Sequence, residues 1–304
     1  MNSYFLDQKK FTKIHSTYND KKIVHRFNYF LKYCDENYKI GHMIKNKKVL
    51  DVGCGASGYF QNFCIKKKVE EISCLNVGKS WVPKLKKNIV KKKINIKFLK
   101  KNVLELNIKN YFDFVNSQGV LHHLSSKKHF EKSIKNISNS LKKDGYALLT
   151  GGYGQNYGLV DGTINPALRD LYKKNKAFKN FIDSLNYKSI QKEFLKIFKL
   201  SSKIDKSLNF KEIAKFIKLF NQDTINTIQD RMQPIKTIET TLDEKYFIKV
   251  CRKNKLKLVK KIKDPYYLRS DIRKFFSPLH YFRSLRVSNM LSGDQYTKFI
   301  FRKY

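Results

Sequence analysis

The chain has 304 residues, 64 of them basic and 25 acidic, which gives a formal net charge of +39. That length holds one catalytic-sized domain with an insertion, while no window approaches the ~18 consecutive apolar residues of a membrane span, and charges at positions 7, 9 and 10 leave no apolar stretch for a secretory signal. Cys34, Cys54, Cys64, Cys74 and Cys251 form no CxxC pair, so a thiolate metal cluster is not expected; the thiols suit a reduced, cytoplasmic chain with no metal site and no membrane partner.

Apolar residues Ile23, Phe27, Phe30, Leu31 and Cys34, three and four apart, predict an N-terminal helical segment over 1–45 that ends near Gly41. KVLDV (48–52) is an apolar, β-branched run stopped by glycine, the pattern of a buried strand. EISCLNV (71–77) is a second strand and VPKLKKNIVKKK (82–93) a helix that tolerates Pro83 in its first turn. INIKFL (94–99) and YFDFVNS (111–117) supply strands three and four. Phe130, Ile134, Ile137 and Leu141 form a helical stripe with Ser125 or Ser126 as cap, Gly145 is the expected helix end, and YALLT (146–150) is strand five. Helical periodicity then persists from 155 to 240, for example at Ile190, Phe194, Ile197 and Phe198. A helix over 243–256, a strand at 255–262 and a strand at 295–303 follow, the last two separated by a long aromatic and basic loop.

Strands alternating with helices imply βαβ units and a mostly parallel sheet. The predicted organisation is therefore α/β: an N-terminal helical segment (1–45), a core (46–154), a helical cap inserted after the fifth strand (155–240), and a C-terminal completion of the core (241–304).

The stretch DVGCGASG places Asp51, Gly53, Cys54, Gly55 and Gly58 between a predicted strand and a predicted helix. Backbone without side chains at the carboxyl end of a parallel strand lets a ligand lie close, and amides at a helix start attract anionic groups. VLDVGCGASG, FDFVNSQGVLHHL (112–124) and LKKDGYALLT (141–150) together resemble the class I, Rossmann-like S-adenosylmethionine-dependent methyltransferases, over most of residues 40–150. The resemblance implies a Rossmann-like seven-stranded, mostly parallel sheet flanked by helices and S-adenosyl-L-methionine as cofactor. It implies that Gly53 and Gly55, with Cys54 and Gly58 in the same loop, pack against the methionine end. Asp51 would hold the loop or reach the cofactor ammonium through water. Asn76 stands where the family has an acidic residue on the ribose, Asn102 and Val103 where the adenine is met, and Ser117 and Gln118 beside the sulfonium. Two departures stand out: Asn76 is neutral and so lacks charge-assisted bonds, and Ser57 occupies the usual third-glycine position. A catalytically degenerate binding protein is the alternative these departures raise.

His122 and His123 follow the fourth strand, where one of them could take a proton from a hydroxyl nucleophile; packing and capping, roles that paired histidines at this position also have in the family the chain resembles, are the competing reading. Tyr153, Tyr157, Arg169 and Arg231 are candidate acceptor-lining residues, with a small molecule under the helical cap as the favoured acceptor. RNA is the alternative acceptor. The charge invites it, as do Arg269, Arg273, Arg283 and Arg286 among aromatics in the late loop. Against it, the excess is uniform, with 31 basic and 11 acidic residues in 1–150 against 33 and 14 in 151–304, as whole-chain compositional drift would produce.

Overall fold

The computed structural model describes residues 20–77, 81–90, 94–151, 165–204, 242–262 and 298–304. In chain order these form α1 (Asp20–Tyr38), α2 (Ile40–Ile44), β1 (Lys48–Val52), α3 (Tyr59–Lys66), β2 (Glu71–Leu75), α4 (Trp81–Asn88) and β3 (Asn95–Leu99). There follow β4 (Phe112–Ser117), α5 (Lys127–Ser140), β5 (Leu141–Thr150), α6 (Asn165–Lys174), α7 (Lys176–Ser184), α8 (Tyr187–Ile204), α9 (Glu244–Lys253), β6 (Leu256–Ile262) and β7 (Lys298–Lys303).

The seven strands pair in the order β3-β2-β1-β4-β5-β7-β6. Neighbours from β3 to β5 are parallel, while β7 runs antiparallel to both β5 and β6. The strand order reverses at β1, whose two neighbours leave in opposite directions. In open α/β sheets the carboxyl ends of the strands at such a reversal, here β1 and β4, are where ligands bind.

Alternate residues of the central strands feed two apolar layers. Val49 and Phe114 join α1 to α4 through Phe30, Leu31, Ile44, Phe60 and Leu85. Leu50, Val52 and Val115 face the opposite way, to Phe130, Ile134 and Ile137 of α5 and Phe247 and Val250 of α9. This two-sided burial explains why β1 and β2 read as continuous apolar runs. β3 and β6, at the two sheet edges, are the partly exposed strands. Among the described residues no helix is long and apolar enough to cross a membrane.

Several local expectations shift. The helical break falls at Lys39 (φ 55°), not at Gly41, which lies within α2 and donates its amide to Asp35 Oδ1 at 2.8 Å. Helix α4 stops at Asn88, short of 93, because side chains take over its last backbone groups. Asn62 donates through Nδ2 to the Asn88 carbonyl (3.0 Å) and accepts from Val90 N–H (2.8 Å). Helix α5 ends at Ser140 and passes straight into β5. Gly145 therefore ends no helix; it sits where a Cβ would stand 3.0 Å from the Asp113 and Lys142 carbonyl oxygens. Ser126 caps α5, its Oγ accepting from His129 N–H at 3.2 Å.

Residues 165–204 belong to a separate compact unit. Its helices α6 and α7 close on a small apolar cluster of Tyr172 and Ile182, with Leu168, Phe178 and Leu185 against it. Tyr172 donates its hydroxyl to Asp183 Oδ1 at 2.6 Å.

Candidate active site

Three glycines mark the tip of β1, and each has its own reason. All adopt positive φ: 72° at Gly53, 58° at Gly55 and 73° at Gly58. At Gly53 an added Cβ would meet Val120 Cγ2 at 2.0 Å, so glycine is required by the valine above it. At Gly58, which caps α3, the Asn88 carbonyl oxygen lies 3.1 Å from that position. Only at Gly55 does the added carbon meet open space. Open space at the side-chain position is thus found at Gly55 and not at Gly53 or Gly58. The amides of Gly53 and Cys54 both donate to the Leu75 carbonyl, at 2.7 and 3.3 Å, which ties the loop to β2. Asn88 adds a further tie, donating through Nδ2 to the Ala56 carbonyl at 2.7 Å. Cys54 is buried, and burial, then Cys74 and Asp51 alongside, push its thiol well above the usual range.

Asp51 lies inside the sheet, 3% exposed. Its Oδ2 accepts from Gln61 Nε2 at 2.6 Å and its Oδ1 from Asn116 Nδ2 at 2.7 Å. Burial raises its carboxyl to about 6, the two amide hydrogen bonds pulling the other way. Of the two roles expected for Asp51, the geometry displays the anchoring one: the carboxylate ties β1 to β4 and to α3. The chain of amides continues outward, because Asn116 Oδ1 accepts from Gln118 Nε2 at 2.9 Å. Gln61 and Asn116 were not among the residues expected here. A polar residue at a fully buried position of a central strand, as Asn116 is within FDFVNS, was the available signal.

Asn76 follows β2, half-buried, with its Oδ1 accepting from Val77 N–H at 2.9 Å. Asn102, 6% exposed, opens a short 3-10 turn (Val103–Glu105) with a capping box: its Oδ1 accepts from Leu104 N–H at 2.9 Å, and Glu105 Oε2 accepts from its own amide at 3.3 Å. Both asparagines therefore hold their own loops at the carboxyl edge, and Val103 is buried beneath.

At the tip of β4, Ser117 Oγ and Gln118 Oε1 are buried with no hydrogen-bond partner among the described residues. Gly119 next to them has φ 73° and open space where a side chain would stand. A short turn (Leu121–His123) carries both histidines, with ring centroids 3.9 Å apart. His122 is 5% exposed, and burial drops its pKa to about 4; His123 is half-buried.

Tyr153, Tyr157 and Arg231 fall outside the described residues, as do Arg269, Arg273, Arg283 and Arg286. Arg169 lies half-buried on α6, and its neighbour Asp170 pairs with Lys174 at 2.7 Å. No group of three or more His, Cys, Asp or Glu side chains among the described residues could hold a metal ion.

The edge fits a nucleoside sulfonium. It offers open space at Gly55 and Gly119, carboxamides at Asn76 and Asn102, and oxygens at Ser117 and Gln118 that are unpartnered among the described residues.

Comparison with known proteins agrees. Residues 50–149 match the family model described as a methyltransferase domain. No curated protein sequence matches the chain. Among solved structures it is similar to a chain of the complex between the Haloferax volcanii Trm112 methyltransferase activator and its methyltransferase-like partner, at 9% identity and TM-score 0.53, covering 96% of this chain and 97% of that one. It is also similar to PKMT2 from Rickettsia typhi, at 16% identity and TM-score 0.50, covering 88% and 51%. Of a Listeria monocytogenes protein described as an S-adenosylmethionine-dependent methyltransferase it covers 99%, with 90% of this chain aligned at 12% identity and TM-score 0.47. The sheet order, the loop at the tip of β1 and the match over 50–149 lead to one conclusion: the chain carries a class I, Rossmann-like methyltransferase domain and is an enzyme whose methyl donor is S-adenosylmethionine.

Proposed function

We propose that the acceptor is a small molecule, held at the carboxyl ends of β1 and β4. The observation that carries this reading is the wall at the tip of β4: Ser117, Gln118 and His122 are all buried and all neutral at pH 7, a surface suited to a small polar guest and not to a phosphate backbone. S-adenosylmethionine, when bound, supplies an electrophilic methyl: the acceptor-to-carbon bond forms as the carbon–sulfur bond breaks, the electron pair staying on a neutral thioether.

The chain's own task is accordingly alignment, worth up to ~7–11 kcal/mol when reactants are fixed in line. Gly55 and Gly119 leave room for close approach, Asn76 and Asn102 face the nucleoside, and the Asp51 amide network fixes the wall. Asp51 acts in this reading as the loop anchor. Base catalysis divides the histidine pair. His122 stays neutral at pH 7, but a base with a pKa of about 4 draws a proton weakly. His123, closer to solvent, is the better assigned to receive a proton when the nucleophile carries one to lose.

A second reading, a nucleic-acid acceptor, is favoured by one surface. Lys245, Ile248, Lys249, Arg252 and Lys253, spaced along one face of α9, line a groove of about 630 Å³ with Tyr304. None of its four cations is ion-paired among the described residues. Incubating the protein with methyl-labelled S-adenosylmethionine and fractionated cell extract decides between them. Label in a small-molecule fraction is the expected result; label confined to RNA, lost in Lys249→Glu, would replace the leading reading with the second.

A further inference from the structure

The side-chain amides that run from Asp51 to the tip of β4 have a direction, and the direction has a chemical consequence. A carboxylate only accepts hydrogen bonds. Asp51 Oδ1 therefore obliges Asn116 to turn its NH2 inward, at 2.7 Å. Asn116 then has only its oxygen left for Gln118, which must in turn present its own NH2, at 2.9 Å. What remains at the end of the relay is the Gln118 carbonyl oxygen, buried and unpartnered among the described residues, on a side chain 7% exposed and beside the open space at Gly119. Gln61, bonded to the other carboxylate oxygen, also ends in an oxygen without a partner among the described residues, but it is a fully buried residue of α3. Only the Gln118 end reaches the edge where ligands bind.

Resting on the small-molecule reading above, we propose that the methyl acceptor is an amine, and that the Gln118 side-chain oxygen receives one of its N–H groups. A buried acceptor left unpaired costs about 1–3 kcal/mol, so a guest that brings a donor is selected over one that does not. Orientation matters as much as affinity. An amine that donates an N–H to a carbonyl keeps its lone pair free to face the methyl carbon. The opposite amide orientation would place NH2 against that lone pair and quench it. A carboxylate at the same place would stabilise the ammonium form, which has no lone pair to react with. The neutral carbonyl is thus the group that binds an amine without disarming it. Hydroxyl acceptors are served less well, since they need a competent base. The only carboxylate in this network has both oxygens occupied, and His122 is weakly basic.

Two stable cofactor analogues test this, each with nitrogen in place of sulfur. One carries an aminoethyl arm where the methyl stands, and the other an isosteric propyl arm. Both keep the cofactor's own ammonium, so the ratio of their affinities by calorimetry isolates the amine at the acceptor position. The full chain should bind the aminoethyl analogue about tenfold tighter than the propyl one, the worth of one hydrogen bond to a charged group. Gln118→Leu should bring the ratio to within twofold of unity. Gln118→Glu should restore or exceed the preference; it decides the matter if the leucine variant does not fold. A wild-type ratio near one overturns the proposal, as does a ratio that survives in Gln118→Leu. So does a parallel fall in both affinities, which would assign the oxygen to the cofactor's ammonium. If the wild-type chain binds neither analogue nor S-adenosylmethionine, the methyltransferase reading itself falls, and this one with it.

Discussion

The tips of β1 and β4 lie side by side and treat their polar groups in opposite ways. At β1 the loop after Val52 spends nearly everything internally: two amides on the Leu75 carbonyl, one carbonyl on Asn88, and both Asp51 oxygens on amides. At β4, Ser117 and Gln118 are as buried but leave oxygens without a partner among the described residues. Saturation holds a shape, whereas a buried acceptor without a partner costs stability in the free protein and is repaid by a ligand. In the proposed function the first tip is scaffold and the second recognises the ligand, with Gly55 as the glycine of the β1 loop that faces open space.

Substitutions sharpen this division. The largest loss is expected from Gly53→Ala, whose Cβ would stand 2.0 Å from Val120 at a φ of 72°. Overpacking plus the left-handed backbone should cost about 3–5 kcal/mol by chemical denaturation. Adding Val120→Ala should recover the steric share but not the backbone share; no recovery would place the strain elsewhere. Asp51→Leu comes next. It leaves the Gln61 and Asn116 amides facing a methyl group, for a loss of about 2–4 kcal/mol, while Asp51→Asn should cost less.

The pH dependence separates the two tips by sign. Asp51 has a raised carboxyl pKa of about 6, so its contribution to stability is full below the ordinary carboxylate value near 3.8 and is lost as pH rises through 6. His122 is depressed to about 4, so its contribution is full above 6.5 and is lost as pH falls through 4. Each shift corresponds to about 3 kcal/mol at 1.36 kcal/mol per unit. The two nearly cancel in the wild-type chain. Between pH 6.5 and 4, Asp51→Asn should therefore lose stability relative to wild type, and His122→Phe should gain it. Parallel profiles for all three would contradict the assigned shifts. The smallest effect is expected from Ser117→Ala, which removes an unpaired hydroxyl and should change stability by no more than about 0.5 kcal/mol while weakening S-adenosylmethionine binding. A large destabilisation there would show that the β4 tip is scaffold too.

The sheet was legible because its strands declare themselves individually: KVLDV and EISCL are buried on both faces, and the helices between them keep a regular apolar stripe. The position of the glycine turn was legible for the same reason. What each glycine is for was not, since the demand at Gly53 comes from Val120, 67 residues later, and that at Gly58 from Asn88. The amide relay escaped similarly. Asn116 lies in β4 and Gln118 just past its end, and only the register Asp51↔Asn116 reveals that the first faces a carboxylate across the sheet. Helix ends were misread at Gly145 and beyond Asn88 because tertiary partners closed them.

The central claim, that the donor nucleoside lies across the open point of the β1 tip toward the tip of β4, is tested most directly by calorimetry of S-adenosylmethionine binding to Gly55→Arg. An arginine there fills empty space, so beyond the ~1–2 kcal/mol cost of its left-handed backbone the fold should persist. The expected result is a folded protein in which binding is weakened at least a hundredfold. A folded variant that binds the cofactor as tightly as the wild-type chain would contradict the account.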